Sequence, residues 1–185
     1  MIWYTVLVLL VGAERIAEVV VSSRNAKWSF ARGGVEFGRR HFAPMVALHV
    51  GMLLACLAEV WIGDRPFIPW LGWPMLALVF ASQGLRWWCI GVLGHRWNTR
   101  VIVVRDLPLV DRGPYRWLKH PNYVAVVVEG IALPLVYSGW ITAIAFTALN
   151  AIFLLAVRLP CENAALATVV RTPAVRATNE SSASS

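Results

Sequence analysis

Five long apolar runs, separated by polar connections, divide the chain. They cover residues 2–21, 44–62, 70–93, 123–137 and 140–159. A helix that crosses the hydrocarbon core of a bilayer needs about 20 predominantly apolar residues. The pattern therefore predicts an all-α integral membrane protein with about five transmembrane helices. The fourth run is short, so its helix should tilt little or thin the bilayer around it.

Composition indicates the same class of protein. Of 185 residues, 58% are hydrophobic, 15% are charged and ten are tryptophan. So much apolar surface does not fit inside one small water-soluble core. Residues 1–11 have the apolar character of a signal peptide, but they lack its cationic start and its cleavage site. We therefore interpret the first run as a mature helix.

Cysteine and histidine usage indicates neither disulfides nor a metal. Cys56, Cys89 and Cys161 lie in or beside the apolar runs and form no C-x-x-C pair, so we interpret them as packing residues. The four histidines are far apart, with no pair at i and i+4. No metal site is expected.

Positive charges collect in two of the connections. Residues 22–42 carry five Lys and Arg residues and residues 94–122 carry six, whereas the other two connections offer only Arg65. Because cytoplasmic loops are rich in Lys and Arg, we expect an integral membrane protein with its N-terminus outside and its C-terminus in the cytoplasm. The net charge of +7 fits attraction to anionic membrane lipids. No nucleic-acid partner is expected.

Ionisable residues interrupt the first run. Glu14 and Glu18 share one helix face, and Arg15 is close enough in sequence to pair with at least one of them. Charged groups at membrane depth normally face a protein interior or a wet cavity. The group is therefore either a polar wall of a substrate chamber or a structural ion-pair cluster.

Three polar residues lie singly in the later runs. Glu129 is too deep to reach the headgroups and needs a partner such as Arg15 or Arg86. Arg86 lies near the end of its run, so we expect its side chain to snorkel to the membrane surface. His49 is predicted to be a hydrogen-bonded histidine inside the helix bundle.

The stretch of residues 113–123 concentrates the chemistry of the chain. It reads Gly-Pro-Tyr-Arg-Trp-Leu-Lys-His-Pro-Asn-Tyr. Pro114 suits the first position of a helix and Pro121 fixes the backbone again, which predicts a short rigid turn at the membrane surface. Its imidazole, phenols and indole suit a ligand with a flat ring and charged ends, so we interpret it as the active centre. The alternative is an ordinary basic, aromatic juxtamembrane loop.

A family resemblance rests on two motifs in a fixed order. The first is Gly-Pro-Tyr-Arg-x-x-x-His-Pro-x-Tyr in residues 113–123, and the second is Arg-Leu-Pro-Cys-Glu-Asn-Ala-Ala-Leu in residues 158–166. Residues 93–166 thereby resemble the isoprenylcysteine carboxyl methyltransferase family of integral-membrane, S-adenosylmethionine-dependent enzymes. The N-terminal half is similar to a bacterial branch whose members accompany type III polyketide synthases and methylate alkylpyrones. The positions that carry this second similarity are Glu14, Arg15, Glu18, Arg24, Asn25, Lys27, Trp28, Gly38, His41 and residues 97–100.

The resemblance implies S-adenosylmethionine as the cofactor, bound by a cytoplasmic loop region. The residues that we expect around it are Leu107, Pro108, Leu109, Val110, Tyr115, His120, Pro121, Asn122, Tyr123 and Glu162. The β-branched run 101–104 predicts extended backbone nearby, which offers amides and carbonyls to a nucleotide. No G-x-G-x-x-G fingerprint is present, so binding by a soluble dinucleotide fold is not expected. We expect a single methyltransferase domain in residues 1–167 and a disordered tail in residues 168–185.

Arg158 and Glu162 are the predicted catalytic residues. They are four residues apart and share a face if the last helix continues through them, although Pro160 is expected to kink or end that helix. Arg158 is expected to hold the anionic oxygen of the acceptor, and Glu162 to lie near the positive end of the cofactor. The family commonly has two adjacent glutamates where this chain has Glu162 and Asn163, which leaves the second acidic role open.

These observations predict an integral-membrane O-methyltransferase that acts on a lipophilic, anionic small molecule. The bacterial resemblance favours the hydroxyl of a long-chain alkylpyrone, a functional link to a type III polyketide synthase and a location in a bacterial plasma membrane. Several tryptophans near the cytoplasmic face fit the binding of a flat acceptor ring, but they also fit a belt of aromatic residues at the membrane–water interface. The tryptophans concerned are Trp28, Trp87, Trp88, Trp97 and Trp117. The alternatives are carboxyl methylation of a prenylcysteine-like substrate, a membrane reductase with a nicotinamide cofactor, and a non-catalytic membrane scaffold.

Overall fold

The computed structural model describes residues 1–104, 107–108 and 110–167 of the chain. Five α-helices make up most of this part and follow the five predicted runs. Their bounds are α1 Ile2–Phe30, α2 Phe42–Ile62, α3 Pro69–Leu93, α4 Pro121–Leu135 and α5 Trp140–Phe153. A π-helical turn, Leu154–Arg158, follows α5, and the helix then continues, so that one helix covers Trp140–Ala167. The predicted tail, residues 168–185, lies outside the described residues.

Proline and buried polar residues explain two of the helix bounds. Pro121 lies in the first turn of α4. A backbone N–H at this position would have no partner within the helix, so proline loses no hydrogen bond there, and its fixed φ is already helical. At its other end, α1 continues past its apolar run to Phe30. It does so because the polar side chains of Ser22, Asn25 and Ser29 are buried against the following loops.

Three helices are long and apolar enough to cross a membrane, within Arg39–Ile62, Pro69–Arg96 and Trp140–Ala167. The prediction of five spans is therefore met only in part in the described residues. α4 is apolar but has 15 residues. α1 has sufficient length, but Glu14, Arg15 and Glu18 interrupt its apolar stretch.

A small antiparallel sheet departs from the all-α prediction. Strand β1, Val35–Phe37, pairs with strand β2, Val101–Val103, with Glu36 opposite Ile102. The β-branched residues of β2 favour extended backbone, but that local preference does not indicate a partner so distant in sequence. The pairing holds the two cation-rich connections together at one end of the bundle.

The other end of the bundle contains a packed core. Its buried members come from all five helices and the α4–α5 connection, and include Tyr4, Val8, Cys56, Val60, Val79, Leu133, Val136 and Phe146. The Tyr4 hydroxyl donates to the Leu133 carbonyl at 3.0 Å. The Glu59 carboxylate accepts from the N–H groups of Ile141 and Thr142 at 3.1 and 2.8 Å, in the first turn of α5, where N–H groups have no partner within the helix.

The ionisable residues of the apolar runs meet in one buried cluster, which we call the internal ion cluster. Arg15 lies 2.9 Å from Glu18 and 3.1 Å from Glu129. Arg86 bonds Glu129 and lies 3.4 Å from Glu18. Glu129 thus pairs with both of the arginines that were expected as alternative partners, Arg15 and Arg86. The prediction that Arg86 snorkels is wrong: it is 3% exposed, because two carboxylates hold it inside the bundle.

Candidate active site

A cavity of about 1090 Å³ extends from the sheet end of the bundle into the space between α1, α2 and α5. Its polar end is formed by residues of the 97–122 segment together with Tyr123, Arg158 and Glu162. The rest, which we call the apolar groove, is lined mainly by aliphatic side chains. These are Val8, Leu9, Ile16, Val46, Val50, Leu53, Leu54 and Leu57, and the backbone of Gly12 lies among them.

The apolar groove is open at its side. Leu9, Ile16 and Leu54 line it, and they are 61%, 68% and 62% exposed. They belong to α1 and α2, so the opening lies between these two helices. In a membrane this opening would face hydrocarbon, which suits the entry of an apolar chain.

The polar end contains a hydrogen-bonded network. Glu162 accepts from the Tyr123 hydroxyl, and one of its oxygens lies 3.1 Å from Nδ1 of His120. The rings of His120 and Tyr123 stack with centroids 5.4 Å apart. Arg158 donates through Nε to the Tyr123 hydroxyl at 3.2 Å and through Nη2 to the Thr99 carbonyl. Residues from three separate parts of the chain thus meet at one point.

A tight turn places the 113–123 stretch beside α3. Gly113 has φ of 60°, and a Cβ on it would lie 2.7 Å from Val92, so only glycine fits there. The buried Pro114 follows, and residues Gly113–Arg116 form a 3-10 turn. Burial raises the pKa of the Tyr115 phenol, and the neighbouring Cys89 raises it further. Tyr115 is therefore a neutral hydrogen-bonding group in the cavity wall.

The π-helical turn keeps the residues of the last helix on one face. In a regular α-helix, residues four apart drift by about 40° per step, because each residue turns by roughly 100°. The wider turn at Leu154–Arg158 counters this drift, and Asn150, Arg158 and Glu162 all line the cavity. Single π turns often occur at functional sites.

Pro160 does not end the helix, which runs on to Ala167. A proline ring clashes with the carbonyl four residues earlier in a regular α-helix, and here that carbonyl belongs to the π turn Leu154–Arg158, where the backbone hydrogen bonds depart from the α-helical pattern. Asn163 is exposed and does not line the cavity. The position where the family commonly has a second glutamate therefore faces away from this site.

Arg158 has no direct ion pair with any described residue. It is 6% exposed and lines the cavity. Glu162 reaches it through the Tyr123 hydroxyl and not directly. The polar end therefore contains a buried guanidinium that no carboxylate of the described residues pairs with directly, since Glu162 acts on it only across the Tyr123 hydroxyl.

The structure brings together almost every residue that the sequence predicts for the site. Both predicted catalytic residues line the cavity. So do nine residues predicted around the cofactor: Leu107, Pro108, Val110, Tyr115, His120, Pro121, Asn122, Tyr123 and Glu162. Leu109 lies outside the described residues. Among those described, no group of three His, Cys, Asp or Glu side chains is arranged to hold a metal ion.

Sequence reasoning missed the residues that position the site. Ser22 bonds the backbone N–H of Thr99 at 3.0 Å and its hydroxyl at 2.8 Å, which fixes the carbonyl that Arg158 uses. Arg96 donates to the Pro108 carbonyl at 2.6 Å. Asn25 donates to the carbonyl of Trp97 at 2.8 Å. The resemblance included Asn25 and residues 97–100, but nothing in their spacing indicates that α1 holds the 94–100 segment in place.

The donor set of the polar end fits the charged parts of S-adenosylmethionine. A carboxylate on Glu162 and the stacked rings of His120 and Tyr123 suit a cationic centre. Asn122 lines the cavity, and its Oδ1 atom is buried without a hydrogen-bond partner among the described residues. Such an atom has an unmet need for a donor, such as an ammonium or a ribose hydroxyl.

The fold and the site define a class: helical membrane proteins in which a polar centre at one end of the bundle connects to a laterally open apolar groove. Residues 75–168 match the Isoprenylcysteine carboxyl methyltransferase (ICMT) family. The chain belongs to this family, which indicates a membrane methyltransferase. Both motifs of the sequence analysis lie inside the matched region.

Two bacterial proteins are similar over most of their length. The uncharacterized protein YpbQ of Bacillus subtilis (strain 168) is 36% identical over 167 residues, which are 90% of this chain and 96% of that protein. An uncharacterized protein of Haemophilus influenzae (strain ATCC 51907 / DSM 11121 / KW20 / Rd) is 24% identical over 155 residues, 83% of this chain and 89% of that protein. No solved structure matches the chain.

Proposed function

We propose that the protein is an integral-membrane O-methyltransferase that uses S-adenosylmethionine and acts on an anionic oxygen of a lipophilic acceptor. The observation that carries this proposal is Arg158, which is buried at the cavity without a direct ion pair among the described residues. An uncompensated buried charge is costly. An anionic acceptor in the polar end would supply the missing charge.

The cofactor would occupy the polar end beside Glu162, His120 and Tyr123. Bound S-adenosylmethionine would supply the methyl group on a positively charged sulfur atom. Glu162 would lie near that positive charge, and Tyr115 and Asn122 would offer neutral hydrogen-bonding groups. Arg96 holds the carbonyl of Pro108, which shapes the wall where Leu107, Pro108, Leu109 and Val110 would meet the cofactor.

In this reaction the protein mainly has to align the acceptor oxygen with the methyl group, and acid or base catalysis contributes less. An acceptor oxygen that is already ionised forms the new bond to the methyl carbon while the carbon–sulfur bond breaks, and the sulfur keeps the electron pair. No proton is released, so no general base is needed. Arg158 would orient the oxygen, and the apolar groove would bind the tail and exclude water.

The preferred acceptor, in this proposal, is a long-chain alkylpyrone, and a type III polyketide synthase would supply it. The bacterial resemblance is the first support. The second is the aromatic content of the polar end, where Trp97, Tyr115, His120 and Tyr123 line the cavity. Trp97 is the one described tryptophan on the cavity wall, so the other tryptophans of the cytoplasmic face do not support this choice. Arg158 would also suit the carboxylate of a prenylcysteine.

Acceptor competition tests this proposal. Purified protein is incubated with methyl-labelled S-adenosylmethionine and equal concentrations of a long-chain alkylpyrone or a farnesylcysteine analogue. We expect faster labelling of the pyrone. Equal or faster labelling of farnesylcysteine would overturn the choice of acceptor and leave the methyltransferase class intact. Binding of a nicotinamide dinucleotide instead of S-adenosylmethionine would favour a reductase.

We also propose that all five helices cross the membrane, with the sheet end in the cytoplasm and the N-terminus outside. The internal ion cluster supports a spanning α1, because its charged groups are paired inside the bundle and not exposed to lipid. A topology reporter fused after Val175 should read cytoplasmic, and one at Asp64 should read exterior. The reverse pattern would contradict the orientation.

A further inference from the structure

Two polar side chains line the cavity away from its polar end. Asn150 lies on α5 and His49 lies on α2. Asn150 is 2% exposed, and its side-chain amide bonds no described residue. Because Asn150 lines the cavity, its amide is open to a ligand there, and a polar side chain without a protein partner beside aliphatic residues calls for an explanation.

The hydrogen bond of His49 determines which ring nitrogen is free. Nδ1 lies 2.9 Å from the carbonyl oxygen of Met45, one turn earlier on its own helix. A carbonyl only accepts, so Nδ1 carries the proton. In a neutral ring Nε2 is then an acceptor, and no described residue donates to it.

His49 and Asn150 are neighbours on one wall of the cavity. The His49 ring contacts the Phe146 ring edge-on, with centroids 5.5 Å apart. Phe146 and Asn150 are four residues apart on α5, so their side chains lie on the same face one turn apart. A single ligand group between α2 and α5 can therefore meet both side chains.

The other polar groups at this depth are already engaged. Arg15 lines the cavity, but its guanidinium bonds Glu18, Gln83 and Glu129. Glu129 bonds both arginines of the internal ion cluster. Arg15 Nε, Glu18 Oε1 and Arg86 Nε make no hydrogen bond with a described residue, but each belongs to a side chain that is held in an ion pair. Outside the internal ion cluster, the groups on this part of the wall that are free to bond a ligand are Asn150 and Nε2 of His49.

The separation from Arg158 indicates what the ligand group is attached to. Asn150 and Arg158 are eight residues apart on the last helix, which is at most about 12 Å, because an α-helix rises 1.5 Å per residue and the wider π turn at Leu154–Arg158 rises less. That distance corresponds to roughly ten bonds of an extended chain. A group that meets Asn150 is therefore part of the acceptor's tail and not of the head that Arg158 holds.

We propose that the acceptor carries a hydroxyl group within its hydrocarbon tail, roughly ten bonds from the methylated oxygen, and that Asn150 and His49 recognise it. A hydroxyl donates to Nε2 of His49 and accepts from the Asn150 amide, whereas a ketone can only accept and leaves Nε2 of His49 unpaired. This inference rests on the proposed function, because it places the acceptor head at Arg158.

A binding experiment tests the inference without methyl transfer. The probes are octadecanoate and its 4-hydroxy and 10-hydroxy derivatives, which share an anionic head and a tail length. Their equilibrium binding to the purified protein is compared by competition against labelled octadecanoate. We expect the 10-hydroxy probe to bind about tenfold more tightly than octadecanoate and the 4-hydroxy probe to show no such gain.

Two variants assign the effect to the side chains. Asn150→Leu and His49→Phe should each reduce the ratio of the two affinities, 10-hydroxyoctadecanoate against octadecanoate, to about one. S-adenosylmethionine affinity is the control for intact folding. Equal affinity for all three probes would overturn the inference, and it is the result expected if water alone satisfies Asn150. A preference for 10-hydroxyoctadecanoate that survives both variants would also overturn it. Absence of methyl transfer with the 10-hydroxy preference present would instead count against the proposed function.

Discussion

The protein contains two clusters that combine arginine with glutamate, and they differ in how the arginine charge is neutralised. Arg86 in the internal ion cluster is 3% exposed and has carboxylates of Glu18 and Glu129 beside it. Arg158 at the polar end is 6% exposed, but no carboxylate of the described residues pairs with it directly. Arg15, Glu18 and Arg86 also line the cavity, so the two arginines differ in pairing and not in access. Carboxylates hold Arg86 directly, whereas Arg158 has no direct carboxylate partner and is the arginine that we propose meets an anionic ligand.

The same contrast explains why charge at membrane depth is not by itself a sign of catalysis. Four charged side chains of the internal ion cluster neutralise one another, so the cluster joins α1, α3 and α4 without a ligand. At the polar end, the side chains of Glu162 and His120 remain 28% and 14% exposed. These partly exposed groups can exchange partners with a ligand more readily than Arg15, Glu18 and Arg86, which also line the cavity but are held in ion pairs.

The largest expected effect is on stability, in the internal ion cluster. Arg86→Ala leaves Glu18 and Glu129 with Arg15 as their one remaining arginine, so one buried negative charge loses its compensation. Breaking a buried pair in this way costs about 3–5 kcal/mol. Thermal unfolding in detergent should show a large fall in the midpoint. Arg24→Ala, an exposed arginine of α1, is the control, with an expected change within about 0.5 kcal/mol. An Arg86 variant as stable as that control would show that the cluster does not hold the helices together.

A second effect is expected on cofactor affinity at the polar end. His120→Ala removes the partner of Glu162 and one of the stacked rings, and a hydrogen bond to a charged group contributes about 1.5–3 kcal/mol. S-adenosylmethionine should bind about 10–100-fold more weakly, with unfolding little changed. Tyr115→Ala should act in the same direction. Arg116→Ala, an exposed neighbour, serves as the control. If His120→Ala and Tyr115→Ala both retain full affinity, the stretch is not part of the cofactor site.

The smallest expected effect comes from a positioning residue. Ser22 holds Thr99, whose carbonyl accepts from Arg158. Ser22→Ala removes about 0.5–1.5 kcal/mol of hydrogen bonding, so kcat/KM for the acceptor should fall about 3–10-fold while cofactor affinity is retained. Ser23→Ala is the matched control, since that exposed hydroxyl bonds only the Val19 carbonyl of its own helix. Equal effects of the two variants would contradict this role.

The local hydrophobic pattern predicts the helices well, because the length and apolar character of each run are visible without knowledge of the rest of the chain. The run at 70–93 differs by one residue from α3, Pro69–Leu93, and the run at 44–62 by two residues from α2, Phe42–Ile62. The pairing of β1 with β2, and the position of Arg86, depend on residues far away in the chain. Spacing places Arg86 near the end of a run, but only the packing of α1 and α4 against α3 brings Glu18 and Glu129 to it.

The site was predicted more completely than its supports. The two motifs lie in the 113–123 turn and the last helix, and the cavity joins them. The contribution of α1 through Ser22 and Asn25 was missed, because a serine or an asparagine on a helix has no pattern that distinguishes it from a surface residue. Asn150 and the free Nε2 atom of His49 were likewise recognisable only once their neighbours were known.

The most direct test of the account is single-turnover methyl transfer by Arg158→Ala, with Arg158→Lys as the charge-conserving control. Labelled S-adenosylmethionine is bound to each purified variant, and transfer to a long-chain alkylpyrone is followed, with cofactor affinity measured in parallel. The account predicts that Arg158→Ala transfers the methyl group about 10–100-fold or more slowly than the unchanged protein and binds S-adenosylmethionine within a few-fold of its affinity. Arg158→Lys should transfer faster than Arg158→Ala, because it keeps the positive charge. Transfer by Arg158→Ala at the rate of the unchanged protein would contradict it.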